Sequence, residues 1–168
     1  MGRTRENLPG FSLEEAESYR AERPEVERVL AYFEERTGGK RLACRADIEP
    51  GQLRDILPDV CIMTPEFDPA GVLEDVKVRL MGTNVVNFYG EMTGKSIFIH
   101  PSSEVADRIF KSAAFCLERR KPVLVQAYTL SEEKNYLRVS VMYVPLSENN
   151  RDIDRLFLHV AVRRAFAC

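Results

Sequence analysis

Apolar positions along the chain follow two rhythms, one of helical and one of strand period, and the switches between them mark out the elements. Ser12-Leu13-Glu14-Glu15 has the spacing of a capping box. In that motif the Ser hydroxyl accepts from an unpaired amide while the Glu reaches back to the cap, so a helix is expected to start there. Pro24 restarts it, and Val26, Val29, Leu30 and Phe33 then recur at i, i+3, i+4 and i+7 until Gly38-Gly39. Proline suits a first helical turn and glycine a helix end, so the spacing predicts an amphipathic helix from Pro24 to Arg36. Its apolar stripe has two uses, covering the domain's own sheet or pairing with a second copy of the chain, and the sequence leaves both open.

A short helix is expected from Pro50 to Leu57, before Pro58. The period then drops to two, and Val60 to Glu66 and Val72 to Met81 read as strands joined by Phe67-Asp68-Pro69-Ala70-Gly71, which has hairpin chemistry. In the second of these, Val76, Val78 and Leu80 alternate with Lys77, Arg79 and Met81. A helical middle follows. Thr83 can cap a single turn carrying Val85, Phe88 and Tyr89 that ends at Gly90, and Gly90 and Gly94 are expected to turn the chain with positive φ. Ser102 or Ser103 caps a longer helix with Val105, Ile109, Ala113, Cys116 and Leu117 on one stripe. Three more strands are expected at about Val123 to Leu130, Tyr136 to Leu146 and Ile153 to Arg164. Every link between consecutive strands except the middle one is short enough for a hairpin. This predicts an α+β domain with a five-stranded antiparallel sheet, its helices gathered on one face by the crossover. Residues 1–37 form an N-terminal helical segment and 38–168 the domain proper.

Composition narrows the function classes. Of 168 residues, 45% are apolar and 30% charged, with a net charge of −2, values typical of an ordinary folded protein. The charges are interspersed, so no basic stripe points to nucleic acid. Cys44, Cys61, Cys116 and Cys168 include no C-x-x-C pair, which removes the zinc-knuckle and dithiol readings and leaves packed, reduced thiols. No segment has the length and apolarity of a membrane span or a signal peptide, so a cytoplasmic protein is expected.

Strand, five-residue turn, strand, helical crossover and three-strand meander is PAS connectivity. Arg79-Leu80-Met81-Gly82-Thr83, with Phe88-Tyr89-Gly90 and Thr93-Gly94-Lys95, resembles the R-L-x-G-T … Y-G … T-G signature of the small bacterial PAS-like family PAS_5. Arg45-Ala46-Asp47-Ile48-Glu49-Pro50 with Leu57-Pro58 is similar to that family's opening segment, and Pro145-Leu146-Ser147 and Asp154-Arg155-Leu156 to its closing one. The resemblance runs from about Tyr32 to Arg164. It implies a sensory or regulatory module, seen largely in alphaproteobacteria and often standing alone, whose ligand is usually unassigned.

Few residues offer chemistry. His159 reads as a structural histidine of the last strand, and His100, in the loop before the long helix, is a weak candidate for haem ligation. The crossover has no flavin-type Asn-Cys-Arg-Phe-Leu box, so no motif supports haem or flavin. No phosphate loop, dinucleotide fingerprint or zinc-protease motif occurs. The remaining asset is a cup between crossover and sheet, roofed by Phe88, Tyr89, Met92, Phe98 and Cys116. Asn84, Asn87, Tyr89, Gln126, Tyr128 and Ser140 are the polar groups that could orient a guest. Whether side chains or a ligand fill the cup is left open. The candidate pocket is therefore Asn84, Phe88, Tyr89, Met92, Phe98, Cys116 and Tyr128. The expected function is non-enzymatic: sensing through a small apolar ligand or a protein partner, with output through another protein and a homodimer formed by the N-terminal helix. The rival reading is a small cone-shaped α+β enzyme, isomerase-like or cyclase-like, which requires an acid inside an apolar strand stripe.

Overall fold

The computed structural model describes residues 10–128 and 137–164, with the side chains of 128 and 164 excepted. Among the described residues six strands form one antiparallel sheet: β1 (Phe11–Glu15), β2 (Val60–Phe67), β3 (Leu73–Met81), β4 (Val123–Tyr128), β5 (Leu137–Leu146) and β6 (Arg155–Arg164). Their spatial order is β1-β4-β5-β6-β2-β3. Antiparallel pairing, the hairpin at Asp68–Gly71 and the trailing meander agree with the sequence pattern. The expected extension of β4 to Leu130, the turn after it and Tyr136 lie outside the described residues.

The sheet has six strands rather than five because the supposed capping box is a strand. Phe11 and Leu13 are buried while Ser12 and Glu14 are not, and Leu13 lies opposite Val125 on β4. A helix would turn Phe11 and Leu13 about 200° apart, whereas an extended strand puts both on the core face. Ser12 and Glu15 therefore cap nothing.

Helices cover both faces of the sheet, not one. Helices α2 (Thr83–Tyr89) and α3 (Ser103–Arg119) lie on the inner face, where their apolar residues join Val76, Val78, Val141, Tyr143, Leu156 and Leu158 in one core. Helix α1 (Pro24–Thr37) packs on the outer face, where Val26, Val29, Leu30 and Phe33 meet Leu124, Met142, Val144 and Phe157 in a second core. The Phe33 and Phe157 rings meet edge to face at 5.1 Å. Gly38 ends α1 at φ 63°, and its amide donates to the Glu34 carbonyl. Arg23 ties the start of α1 to the sheet by donating to Ser140 Oγ at 2.9 Å and to Gln126 Oε1, while Arg163 on β6 pairs with Glu25.

The segment between α1 and β2 holds single 3-10 turns at Pro50–Gln52 and Leu57–Asp59 instead of the expected helix, since Pro50, Gly51 and Pro58 leave too few helix-competent amides in a row. Tyr32 steadies the segment: its hydroxyl donates to the Asp47 carbonyl at 2.6 Å and accepts from the Glu49 amide at 2.8 Å. Asp47 accepts from the Cys44 amide and forms a two-point pair with Arg41, which holds its carboxyl well below the usual carboxylate range.

On β3 the expected alternation breaks near its end. Ile62 pairs with Leu80 but Met63 with Val78, so Arg79 is an extra, bulged residue. A bulge of one residue exchanges the two faces beyond it. Leu80 is consequently 41% exposed, and Met81 turns to the inner core in its place.

Candidate functional site

The cup predicted between crossover and sheet exists on the inner face. Its floor is Cys61 and Met63 of β2, Val78 and Met81 of β3, Val141 and Tyr143 of β5, and Leu158 and Val160 of β6. Val85 and Tyr89 of α2, Met92 in the segment after α2, and Ile109 of α3 form the roof. The roof is short, and its two ends are fixed differently. Gly82 precedes α2, its amide donating to the Val60 carbonyl at 2.7 Å, and a Cβ there would lie 2.3 Å from the Pro58 carbonyl oxygen. Close backbone approach therefore demands this glycine; its φ of −66° is one any residue adopts. Thr83 is the first helical residue and caps nothing, because Gly82 occupies the cap position. At the far end Gly90 and Gly94 have φ of 88° and 81°, as expected. The chain then runs along the outer edge of β3, with the Gly94 amide donating to the Val78 carbonyl and the Val78 amide to that of Lys95.

Side chains leave a space of about 20 Å³ in the cup, room for roughly one water-sized guest. No charged residue lines it among the described residues. Burial pushes the Cys61 thiol up to about 12 and raises the Tyr89 and Tyr143 hydroxyls as well, so all three are neutral groups at ordinary pH. Tyr143 has Ser112 as a hydrogen-bond partner.

Of the seven candidate pocket residues, Tyr89 and Met92 line this space. Cys116 is fully buried but sits beside it, its thiol 3.8 Å from the Tyr143 carbonyl. Phe98 is 52% exposed and lies against Phe110, ring centroids 5.5 Å apart. Asn84 is exposed, Phe88 is half-buried against the inner core without lining the space, and the Tyr128 side chain lies outside the described residues. His100 accepts from the Ser102 amide through Nδ1 at 3.0 Å and has its ring 6.5 Å from that of Tyr89, so it stands behind the roof and does not line the cup. Sequence reasoning missed Cys61, Met63, Met81 and Tyr143. The first two and Tyr143 were readable as strand residues of one face, whereas Met81 depends on the bulge.

Asn84 and Phe88 border a second, open depression of about 540 Å³ beside the end of β6, with Asn87, Asp59, Glu25, His159 and Val162 around it. Asn84 Nδ2 donates to Asp59 Oδ1 at 2.8 Å. Strand β2 pairs with β6 only over Leu156 to His159, so the edge of β6 beyond His159 borders this depression unpaired by β2. His159 is 6% exposed. Burial lowers its pKa below the ordinary histidine value, against the opposing pull of Asp59, Glu25 and Asp55.

The comparisons with known proteins agree with this geometry. No curated protein and no solved structure matches the chain. A family model does: the PAS domain model PAS_5 matches residues 21–159, from just before α1 to the middle of β6. A match over most of the chain, on an antiparallel sheet with a helical crossover covering its inner face, places the protein in the PAS_5 family of PAS domains.

Proposed function

We propose that the protein is a sensory or regulatory PAS module without enzymatic chemistry of its own, in which the state of the inner cup is passed to a protein partner. PAS domains are generally modules of this kind. The observation that carries the reading is the roof: seven residues of α2, held at Gly82 and Gly90, separate the cup from the surface. Anything that enters the cup must displace Tyr89 or Met92, and displacing Tyr89 moves Phe88, whose ring it meets at 4.8 Å. Phe88 lies in the open depression, where a partner would feel the change. In this reading Asn84, Phe88, Tyr89, Met92, Phe98, Cys116 and Tyr128 form a responsive shell around the cup. Residues 38–168 form the sensing body and residues 1–37 the output segment; because the apolar stripe of α1 is covered by the sheet, a homodimer would form through the exposed face of that segment. A cytoplasmic setting is part of the same proposal. Among the described residues, no helix is long and apolar enough to cross a membrane.

The small free volume favours a second reading, an interaction domain whose core is already filled. The enzyme alternative requires a carboxylate in the cup, and the lining contains none among the described residues.

Native mass and absorption spectra of freshly purified protein, joined to partner capture with wild type and Tyr89→Ala, separate these readings. Sensing predicts a partner whose capture changes in Tyr89→Ala. A folded Tyr89→Ala chain that captures the same partner equally well, with no bound mass in the wild type, supports the filled-core reading and ends the sensing one.

A further inference from the structure

The cup lining is unusual in one respect: it is rich in sulfur. The chain has five Met and four Cys, and Cys61, Met63, Met81 and Met92 all line this one space. Cys61 and Met81 are register partners across β2 and β3, and residues opposed in an antiparallel pair have Cβ atoms about 5 Å apart. Met63 is two residues beyond Cys61 and shares its face, buried in the same inner core. Met81 reaches this face only because of the bulge at Arg79, and its Sδ accepts from the Met92 amide at 3.3 Å.

We propose that this cluster binds a soft monovalent d¹⁰ cation, copper(I), as a three-thioether, one-thiol site. The proposal rests on the cup being the sensing element and names what it senses. Thioether and thiolate sulfurs select copper(I) over harder ions. Charge makes the same selection. Among the described residues the lining holds no charged residue, so an ion entering a dry apolar space must be neutralised by the site itself. Binding forms a copper–sulfur bond at Cys61 Sγ and breaks its S–H bond, and the proton leaves to solvent: thiol plus Cu(I) gives a neutral thiolate–Cu(I) unit plus H⁺. No electron moves. A divalent ion would keep one uncompensated positive charge. The space of about 20 Å³ holds one such ion and no organic cofactor.

The test uses the full chain with Cys44→Ser and Cys168→Ser, which leaves Cys61 and the buried Cys116 as its thiols; Cys116→Ala in the same background is the control for the second. Silver(I) in chloride-free buffer and copper(I) under reductant are titrated against a competing chelator, with zinc(II), which also binds thiolate but carries a second charge, as the divalent comparison. One silver or copper ion per chain is expected, with zinc(II) far weaker. Cys61→Ser, and separately Met63→Leu with Met92→Leu, should weaken binding by more than the about 10–100-fold that losing an outer-shell partner costs. Melting temperatures confirm that each variant folds; if the double variant does not, Met92→Leu alone is read. Absence of stoichiometric binding, zinc(II) binding equal to silver(I), or affinity unchanged in Cys61→Ser overturns the site. Partner capture is measured on metal-free protein, so these results and the fate of the sensing reading remain distinguishable.

Discussion

Gly82 shows how one residue can couple two distant blocks of sequence. Its Cα rests against the backbone of Leu57-Pro58, where an added Cβ would come within 2.3–2.4 Å of two carbonyl oxygens. Backbone cannot rotate away as a side chain can, so Gly82→Ala should cost about 1–3 kcal/mol, the usual range for overpacking. Gly51→Ala, where nothing lies within 4 Å of the new Cβ, is the matched control. Urea denaturation of both variants checks this. His159 makes a pH-dependent prediction. Its folded pKa is depressed, chiefly by burial, so below about pH 6.5 the unfolded chain binds a proton that the folded one resists. Stability is complete above that pH and falls as pH drops toward the folded value. Thermal melts from pH 7.5 to 5.5 should show a decline that is flatter in His159→Gln.

At the scale of elements, the bulge on β3 makes neighbouring residues answer oppositely to the same change. Leu80→Lys places a charge in solvent and should shift stability by no more than about 0.5 kcal/mol. Met81→Lys points a charge into the inner core and should be clearly destabilising in the same assay. The unbroken pattern would have predicted the reverse. Apolar runs of strand length between turn residues made β2, β5 and β6 legible in the sequence, and the 3.6-residue period gave α1 and α3 to within a residue or two, because their apolar residues repeat over several turns. Strand β1 was hidden because five residues satisfy both a capping box and a period of two, and only pairing with β4 decides between them. The bulge was hidden because it is a property of the β2–β3 pairing rather than of β3's own sequence. The cup followed the same logic. Its contributors Tyr89, in a recognisable motif, and Met92, directly before another, were within reach of the sequence, whereas Met81 reaches the cup through a register shift that no local pattern encodes.

At the scale of the whole molecule, the destination of α1 decides how the chain holds together. Its stripe could have served a second copy; instead it buries Phe157, Leu146, Met142 and Leu124 on the outer face. Deleting residues 1–37 removes both α1 and the edge strand β1, baring that apolar face and the free edge of β4. The truncated chain should aggregate or lose its cooperative melt, as size-exclusion chromatography and near-UV circular dichroism would show. A milder change, Leu13→Ala, empties a fully buried site on β1 and should cost about 2–5 kcal/mol while leaving α1 in place.

Strand β5 carries a last consequence. Val139, Val141 and Tyr143 belong to the inner core, while Met142, Val144 and Leu146 belong to the outer one. The two compartments thus share a partition one peptide unit thick, and adjacent residues on it press in opposite directions. A shift of Tyr143 by something lodged beneath α2 would tilt the same backbone that seats Met142 under α1, so news of the cup needs no relay to cross the sheet.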